Sequence, residues 1–540
     1  MSAVTGTGEL ARLANRRDRL LLPIWVYLVL VGTLANAYMM GHLYKTAADR
    51  AAFAASGQAN PALIFLYGRL YNDTVGGLTA WRYGVWACLF ASLMAIFTVV
   101  RHTRANEETG RQELIGSARV GRQAPLFAAL LVSVVANVTL AVLLAVILPF
   151  LGLPVTGSIA FGLAVGACGL AFTGITGFCA QLTFSARTAR GLGFAVLGLS
   201  FLLRAAGDAS GAGTSWLTWA SPLGWTEMLR PYAGERWWVL ALPVLLFGAG
   251  TGGAFAVSAR RDLGAGLLSD RPGRPAASSL LRGPFSLAWR LQRAPLFWWA
   301  VGYACVFGVS GAAGNGIASL VGSSGALKTE FTRLGGQSGI VDAYLASLAL
   351  LGGLVAAAYG VATVLRLRSE ETGALAEPVL AAAAGRVRWG LSHVLVAVVG
   401  SAVLMVVGGV TAGLGYGMAA SGSAGFRGTV GGEVARMLGA GIAQLPAVLV
   451  ITGIAVLAFG LAPRACTGIG WGAFVLVLLL SLFGPLLRLS HWVLGISPFT
   501  HAPHLPGGSV SAAPLLWLSL IAVALAAAGL AGLRRRDLAT

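Results

Sequence analysis

The chain has 540 residues, of which 57% are hydrophobic and only 11% are charged, and its mean hydropathy is +0.78. These values exclude an ordinary soluble globular domain and indicate a membrane protein. The five cysteines have neither metal-ligand spacing nor a partner within one predicted outer loop, so the sequence predicts small packing residues rather than a metal site or a disulfide framework.

Long apolar stretches recur along the whole chain. The first, Leu20–Met40, has about 21 nearly uncharged residues, and as a helix it would be roughly 31 Å long, which matches the hydrocarbon core of a bilayer. In chain order the predicted spans lie at about 20–40, 83–100, 124–151, 157–183, 190–207, 237–259, 295–320, 341–365, 389–415, 439–462, 468–488 and 513–533. The sequence therefore predicts an all-α polytopic membrane protein with about twelve transmembrane helices.

The net charge of +19 is unevenly distributed along the chain. Arg16, Arg17 and Arg19 precede the first predicted span, and Arg534–Arg536 follow the last. An even number of spans puts both termini on one side, and about 26 of the 38 Lys and Arg residues then fall on that side. This bias predicts that both termini are cytoplasmic, and it attributes the excess charge to membrane topology rather than to nucleic-acid binding.

Four short motifs occur twice, in the same order. The string Glu-Glu-Thr-Gly follows the second predicted span of each half, at Glu107–Gly110 and Glu370–Gly373. Three further motifs follow each copy. A Gly-Arg step lies at Gly121–Arg122 and Gly385–Arg386, and a Ser-Pro step lies at Ser221–Pro222 and Ser497–Pro498. An Arg-Arg-Asp-Leu ending lies at Arg260–Leu263 and Arg535–Leu538. The shared order predicts a parallel duplication, with a first six-helix half at 1–262, a cytoplasmic linker at 263–294 and a second half at 295–540.

Two basic segments place apolar residues at helical spacing opposite arginines: Glu9–Leu20 before the first span, and Ser279–Arg293 in the linker. Each could form an interfacial helix, or it could be a basic flank that only orients the next span. On the outer side, the segments 42–82, 209–236 and 488–512 are longer than a turn requires. The second of these is rich in tryptophan and predicts a short helix or re-entrant element that anchors the chain or gates a path.

The sequence also bears on the source of energy for any transport. It contains no phosphate-binding loop of the form GxxxxGK[ST], so it predicts no ATP site of its own. Its 19 acidic residues lie in predicted loops or near predicted helix ends, whereas ion-driven carriers usually place a carboxylate within the bilayer. We therefore expect a transport chain that has no catalytic, cofactor or metal site and is driven by a separate chain on the cytoplasmic face.

The two Glu-Glu-Thr-Gly loops are the candidate docking points for such a partner. In the first loop, Arg101–Gln123, a helix over Asn106–Ile115 would display charged residues to water. The second loop, Arg366–Trp389, is rich in alanine, and Pro378 interrupts any single helix there. The predicted coupling residues of the two loops are Glu107, Glu108, Arg111, Glu113, Glu370, Glu371 and Glu377.

Several longer strings resemble the permease subunits of actinobacterial ATP-binding-cassette exporters of the polyketide-antibiotic (tetronasin) type, which are related to ABC-2 permeases. The resemblance is strongest in RSEETGALAEPVLAAAAGRVRW, in Thr332–Ala346, in SPLGW with Ser497–Pro506, and in RRDLG. It implies a two-half permease that exports bulky hydrophobic or amphipathic compounds. It also implies two copies of a separate ATPase that binds ATP and magnesium, and coupling helices in the loops Arg101–Gln123 and Arg366–Arg388.

Polar residues within or beside the spans are candidates for a substrate path or for structural hydrogen bonds between helices. The candidate path residues are Asn36, Asn137, Gln181 and Gln444. The candidate outer gate consists of Arg204, Asp208, Trp219 and Trp225, in which Arg204 and Asp208 would share a helix face and pair.

Two other classes of function remain as alternatives. A secondary exporter coupled to an ion gradient would share the 6+6 repeat but would need an intramembrane carboxylate. A membrane-embedded transferase would need clustered acidic residues or histidines on one side. His491, His501 and His504 do cluster in the last outer segment, but no carboxylate accompanies them, which favours ordinary loop residues.

Overall fold

The computed structural model describes residues 3–59, 61–116, 119–209, 215–261, 266, 276, 279, 281–322, 336–382, 384–421, 428–483, 490–509 and 511–536. Throughout these residues the regular secondary structure is helical, and they contain no β-strand. The predicted all-α class is thereby confirmed. The contacts between Cα atoms group the chain into two compact units, residues 1–273 and 274–540.

Long apolar helices joined by short ones make up the first unit. Its helices are α1 (Thr7–Arg17), α2 (Leu21–Leu43), α3 (Ala47–Ala59), α4 (Pro61–Tyr67), α5 (Val75–His102), α6 (Arg104–Glu108), α7 (Arg111–Gly116), α8 (Ala124–Ile147), α9 (Val155–Leu182), α10 (Ala186–Ala209), α11 (Trp216–Trp219), α12 (Pro222–Met228) and α13 (Ala241–Arg260). Short 3-10 turns extend α8 at Leu148–Leu151 and precede α13 at Trp237–Leu240. Residues 215–236 of the tryptophan-rich segment thus contain two short helices, which is one of the two predicted alternatives.

Helix α9 is the centre of the first unit. It packs against α5, α8 and α13, and most of its residues are buried. Its glycines permit close contact, since a Cβ on Gly174 would lie 2.8 Å from the Cα of Phe247 in α13. Helices in lipid gain little from burying apolar surface against one another, so this approach of backbones supplies much of their packing energy.

The second unit repeats the order of the long helices with fewer short helices among the described residues. Its helices are α14 (Pro284–Gly322), α15 (Gly336–Thr372), α16 (Glu377–Ala381), α17 (Arg386–Ala420), α18 (Val430–Leu461), α19 (Cys466–Phe483), α20 (His491–Leu494) and α21 (Ala512–Arg535). Its central helix is α18, which packs against α15, α17 and α21. A Cβ on Gly529 of α21 would lie 2.5 Å from the carbonyl oxygen of Val456 in α18, so glycine again permits the crossing of the central and last helices.

Within the described part of the chain, eleven helices are long and apolar enough to cross a membrane. They correspond to every predicted span except the eleventh. There the apolar helix, Cys466–Leu482, is shorter, and residues 484–489 lie outside the described residues. The polytopic class is confirmed, while the total of twelve spans stays a prediction.

The largest difference from the predicted boundaries concerns α14. This helix begins at Pro284 and contains Pro295, the predicted start of the seventh span, in its interior. Most of Ser279–Arg293 therefore forms the first turns of α14 and continues into the seventh span, and its position at the membrane surface stays a prediction. Most of the predicted linker before Pro284 lies outside the described residues. Near the N-terminus, by contrast, α1 is a separate helix that covers much of Glu9–Leu20 and packs against α8.

Candidate functional site

The first Glu-Glu-Thr-Gly loop forms two short helices rather than the single predicted helix over Asn106–Ile115. Helix α6 ends at Glu108 and α7 begins at Arg111. Between them Gly110 has a φ of 67°, a left-handed conformation that glycine adopts without steric cost. The helical path therefore breaks inside the motif itself, and the two ends of the loop face different surroundings.

Glu107 is buried in this loop, and the prediction that it faces water was wrong. Its side chain is 5% exposed and accepts hydrogen bonds from two arginines. Arg261, which follows α13, binds both carboxylate oxygens, with Nη2–Oε1 at 2.7 Å and Nη1–Oε2 at 3.1 Å. The fully buried Arg104 adds Nη1–Oε2 at 2.5 Å. Bidentate contacts of this kind fix geometry as well as charge.

Arg261 joins the loop to two further helices. Its Nε donates to the side-chain oxygen of Gln181, at the end of α9, at 2.7 Å. Its carbonyl oxygen accepts a hydrogen bond from Nη2 of Arg122, just before α8, at 2.7 Å. Gln181, predicted as a path residue, is thus engaged by Arg261. We call Arg104, Glu107, Arg122 and Arg261 the first clamp.

The second unit contains a clamp with the same chemistry. Arg536, which follows α21, binds both carboxylate oxygens of Glu371 at 2.9 and 3.0 Å. Arg368 Nη1 lies 3.3 Å from the same carboxylate, and Arg386 Nη1 donates to the carbonyl oxygen of Arg536 at 2.8 Å. The Arg536 guanidinium also lies over the ring of Phe459 in α18, 4.7 Å from its centroid. We call Arg368, Glu371, Arg386 and Arg536 the second clamp.

The clamps correct the alignment of the two loops. The structurally matching pairs are Arg104 with Arg368, Glu107 with Glu371, and Arg122 with Arg386. In the sequence, the two members of each pair are the same number of residues apart. This number is one residue larger than the offset between the two Glu-Glu-Thr-Gly strings. The positive φ angles shift in the same way, to Gly110 in the first loop and Ala374 in the second. The literal repeat is therefore one residue out of structural register.

The other predicted coupling residues differ in their hydrogen bonds and in their exposure to water. Glu108 accepts a hydrogen bond at 2.7 Å from the backbone N–H of Ala186, in the first turn of α10. Glu370 is nearly buried and accepts from Trp389 Nε1 at 3.3 Å, and its carboxylate lies 3.2 Å from His393 Nε2. The exposed members of the set are Glu108, Arg111, Glu113 and Glu377. These four side chains are accessible to a partner.

Two of the predicted outer gate residues, Arg204 and Asp208, form a buried ion pair. Arg204 is fully buried in α10, and its Nη1 lies 3.5 Å from Asp208 Oδ2, as their spacing predicted. The same Nη1 lies 2.9 Å from Oε1 of Glu227 in α12, a residue that the sequence analysis missed. Burial raises the pKa of the Glu227 carboxyl well above its usual range. Nearby, Trp225 Nε1 donates to the carbonyl oxygen of Trp219 at 2.6 Å.

The remaining predicted path residues are Asn36, Asn137 and Gln444. Asn137 is fully buried in α8, where its Nδ2 donates to the Ser133 carbonyl at 2.9 Å. The side-chain oxygens of Asn36, Asn137 and Gln444 have no hydrogen-bond partner among the described residues. Asn36 and Asn137 lie in the first unit and Gln444 in the second, and their role in a path stays a prediction.

Comparison with known proteins places this architecture in a family. Residues 281–534 match the family model described as multidrug efflux system permease Rv1217c, C-terminal domain. The chain is also 45% identical, over 539 residues, to the multidrug efflux system permease protein Rv1217c of Mycobacterium tuberculosis (strain ATCC 25618 / H37Rv). That alignment covers 99% of this chain and 96% of the relative. With its set of membrane-spanning helices, the chain thus belongs to the family of multidrug efflux system permeases, multi-pass proteins of the plasma membrane.

Proposed function

We propose that the chain is the transmembrane permease subunit of an ATP-binding-cassette exporter that moves hydrophobic or amphipathic compounds, such as antibiotics and drugs, out of the cell. A separate ATPase, which binds ATP and magnesium, drives the movement from the cytoplasmic side. The pair of clamps is the observation that carries this proposal. Each clamp ties the loop after the second span of its unit to the last helix of that unit.

The clamps suit the transmission of force. A bidentate Arg–carboxylate pair holds its two partners in one relative orientation, and the buried surroundings of Glu107 and Glu371 limit screening by water. A displacement of either loop would therefore move the end of α13 or α21 with it. Because the two loops share this construction, we propose that two ATPase copies act on the permease, one on each loop.

The exposed residues of the loops are the proposed contact points for the ATPase, and Glu108 at the end of α6 is one of them. Arg111 and Glu113 project from α7, and Glu377 lies in the first turn of α16. The buried carboxylates act behind them as links to the rest of the permease. This division separates residues that bind the partner from residues that pass on its movement.

Co-purification tests the proposal. The chain would be purified with and without the product of any neighbouring gene that contains a phosphate-binding loop, and ATP hydrolysis and substrate uptake would be measured in inside-out proteoliposomes. We expect uptake only when ATPase and ATP are both present. Uptake by the chain alone under a proton gradient, without any bound ATPase, would show that the proposal is wrong.

A secondary exporter coupled to an ion gradient is the second candidate. Its specific support is the arrangement of Asp208 and Glu227, two nearly buried carboxylates that share one guanidinium. Glu227 also lines a cavity of about 40 Å³, which has room for water, and its Oε2 has no hydrogen-bond partner among the described residues. Glu227→Gln separates the two candidates, because only proton-driven uptake requires a titratable group at this position.

A further inference from the structure

We propose that a groove between α1, α7 and α8 binds one anionic phospholipid at the membrane surface. The groove has a volume of about 440 Å³ and lies where α5 ends and α8 begins. We call it the α1–α7 groove. The site is contained within the first unit and shares Arg111 with the proposed ATPase contact, so its lipid binding is measured on the chain without the ATPase.

The walls of the groove are apolar. Leu10, Leu13 and Ala14 line one side from α1, and Leu114 and Ile115 line the other from α7. Leu114 is 75% exposed and Leu13 is 49% exposed, so water covers them unless a ligand does. Covering these side chains with an acyl chain would remove apolar surface from water at the level where hydrocarbon begins.

Two arginines on the rim of the groove supply the charge. Arg17 comes from the end of α1 and Arg111 from the start of α7, and neither forms an ion pair with a carboxylate among the described residues. Arg17 Nη1 donates only to the neutral side chain of Asn106, at 2.9 Å. Such guanidiniums offer parallel N–H donors that match a phosphate.

The neighbouring charges do not neutralise this pair. Asp18 is engaged by Arg101 at 3.1 Å and by His102 at 2.6 Å. Partial burial, with repulsion from Arg111 and Arg101, lowers the pKa of Arg17, and Asp18 offsets only part of this effect. A phosphodiester between Arg17 and Arg111 would relieve the repulsion.

A phospholipid fits this combination better than free phosphate does, because phosphate alone would leave the leucine walls in water. It also fits the position, since α1 leads directly into the membrane-spanning α2. The proposed site thus lies beside the first coupling loop and takes a lipid with a negative headgroup.

Lipid binding to the purified full-length chain tests the proposal. Native mass spectrometry would measure binding of palmitoyl-oleoyl phosphatidylglycerol and of the matching phosphatidylcholine. We expect Arg17→Gln with Arg111→Gln to weaken phosphatidylglycerol binding by roughly 30-fold and to leave phosphatidylcholine binding unchanged. The Arg17→Lys and Arg111→Lys pair should retain most of the affinity. The control pair Arg16→Gln and Arg19→Gln, which removes the same charge outside the groove, should have no effect.

A second variant tests the apolar wall without altering charge. Leu114→Asn changes an exposed side chain and should weaken phosphatidylglycerol binding by roughly tenfold. Unchanged phosphatidylglycerol binding in the Arg17 and Arg111 double glutamine variant would overturn the proposal. Displacement of the lipid by millimolar inorganic phosphate would overturn it as well. So would a loss of ATPase association in that variant while its lipid binding stays intact, because the groove would then belong to the partner protein.

Discussion

The first clamp permits a quantitative test through the pair Glu107 and Arg261. Glu107→Gln removes a negative charge that two buried arginines share. The side chains of Glu107 and Arg261 are each less than a tenth exposed. Breaking a buried ion pair by removing one partner costs about 3–5 kcal/mol, because the remaining charge is left unpaired. Arg261→Gln should cost less, about 1.5–3 kcal/mol, since Arg104 still neutralises Glu107.

A double-mutant cycle isolates the interaction. The double variant should be more stable than the sum of the single losses predicts, with a coupling free energy of about 1.5–3 kcal/mol. The free energy of unfolding would be measured for the purified full chain by titrating sodium dodecyl sulfate into mixed micelles. The control is the exposed pair Glu9 and Arg12, at 3.1 Å, for which the coupling should be close to zero.

Additive losses for Glu107 and Arg261 would refute the reasoning, as would a coupling no larger than that of the exposed pair. The matched cycle with Glu371 and Arg536 should give a similar value if the second clamp works in the same way. In the complex with the ATPase, Arg261→Gln should leave association intact but lower transport per ATP hydrolysed.

Three further predictions follow from other parts of the structure. Glu227→Gln should change the free energy of unfolding by less than about 1 kcal/mol, because Asp208 still balances the charge of Arg204. Arg204→Met should lower it by about 3–5 kcal/mol, because two buried carboxylates then lose their partner. Equal losses for the two variants in the same assay would contradict this account. Gly174→Ala should lower the free energy of unfolding by about 1–3 kcal/mol, because the added methyl group forces α9 away from α13. Gly248→Ala should be neutral or stabilising, because its Cβ would have no neighbouring atom within 4 Å outside its own helix backbone. The melting temperature in detergent distinguishes the two variants. Charge reversal at the exposed Glu113 and Glu377 should weaken ATPase pull-down with an unchanged melting temperature, and undiminished pull-down would remove these residues from the proposed contact.

Hydropathy predicts the positions of the membrane spans well but not their ends. The second span begins at Val75, before the predicted start, because Trp81 is buried by neighbouring helices and donates Nε1 to the Gly68 carbonyl at 2.8 Å. The seventh span begins before Pro295 because the preceding basic segment continues the helix. Such extensions depend on tertiary contacts and on the length of helix beyond the bilayer, and a window of hydropathy measures neither.

The candidate site was only partly predictable for a similar reason. The spacing of Arg204 and Asp208 indicated their pairing, since residues four apart share a helix face. Glu227 gave no such signal, because it meets Arg204 only after the outer segment folds back onto α10. The burial of Glu107 likewise depends on Arg261, which is distant in sequence. The alignment of the two identical Glu-Glu-Thr-Gly strings also placed the second loop one residue out of structural register.

The sequence separation within each clamp has a consequence for biogenesis. Glu107 and its arginine partner are 154 residues apart, and Glu371 and its partner are 165 apart, but each pair lies within one unit. During synthesis the first clamp becomes available once α13 has been inserted and Arg261 has left the ribosome, before most of the second unit has been translated. Formation of the pair then marks completion of the first unit, and a ribosome stalled once Arg261 has left the exit tunnel would present a self-contained folding intermediate.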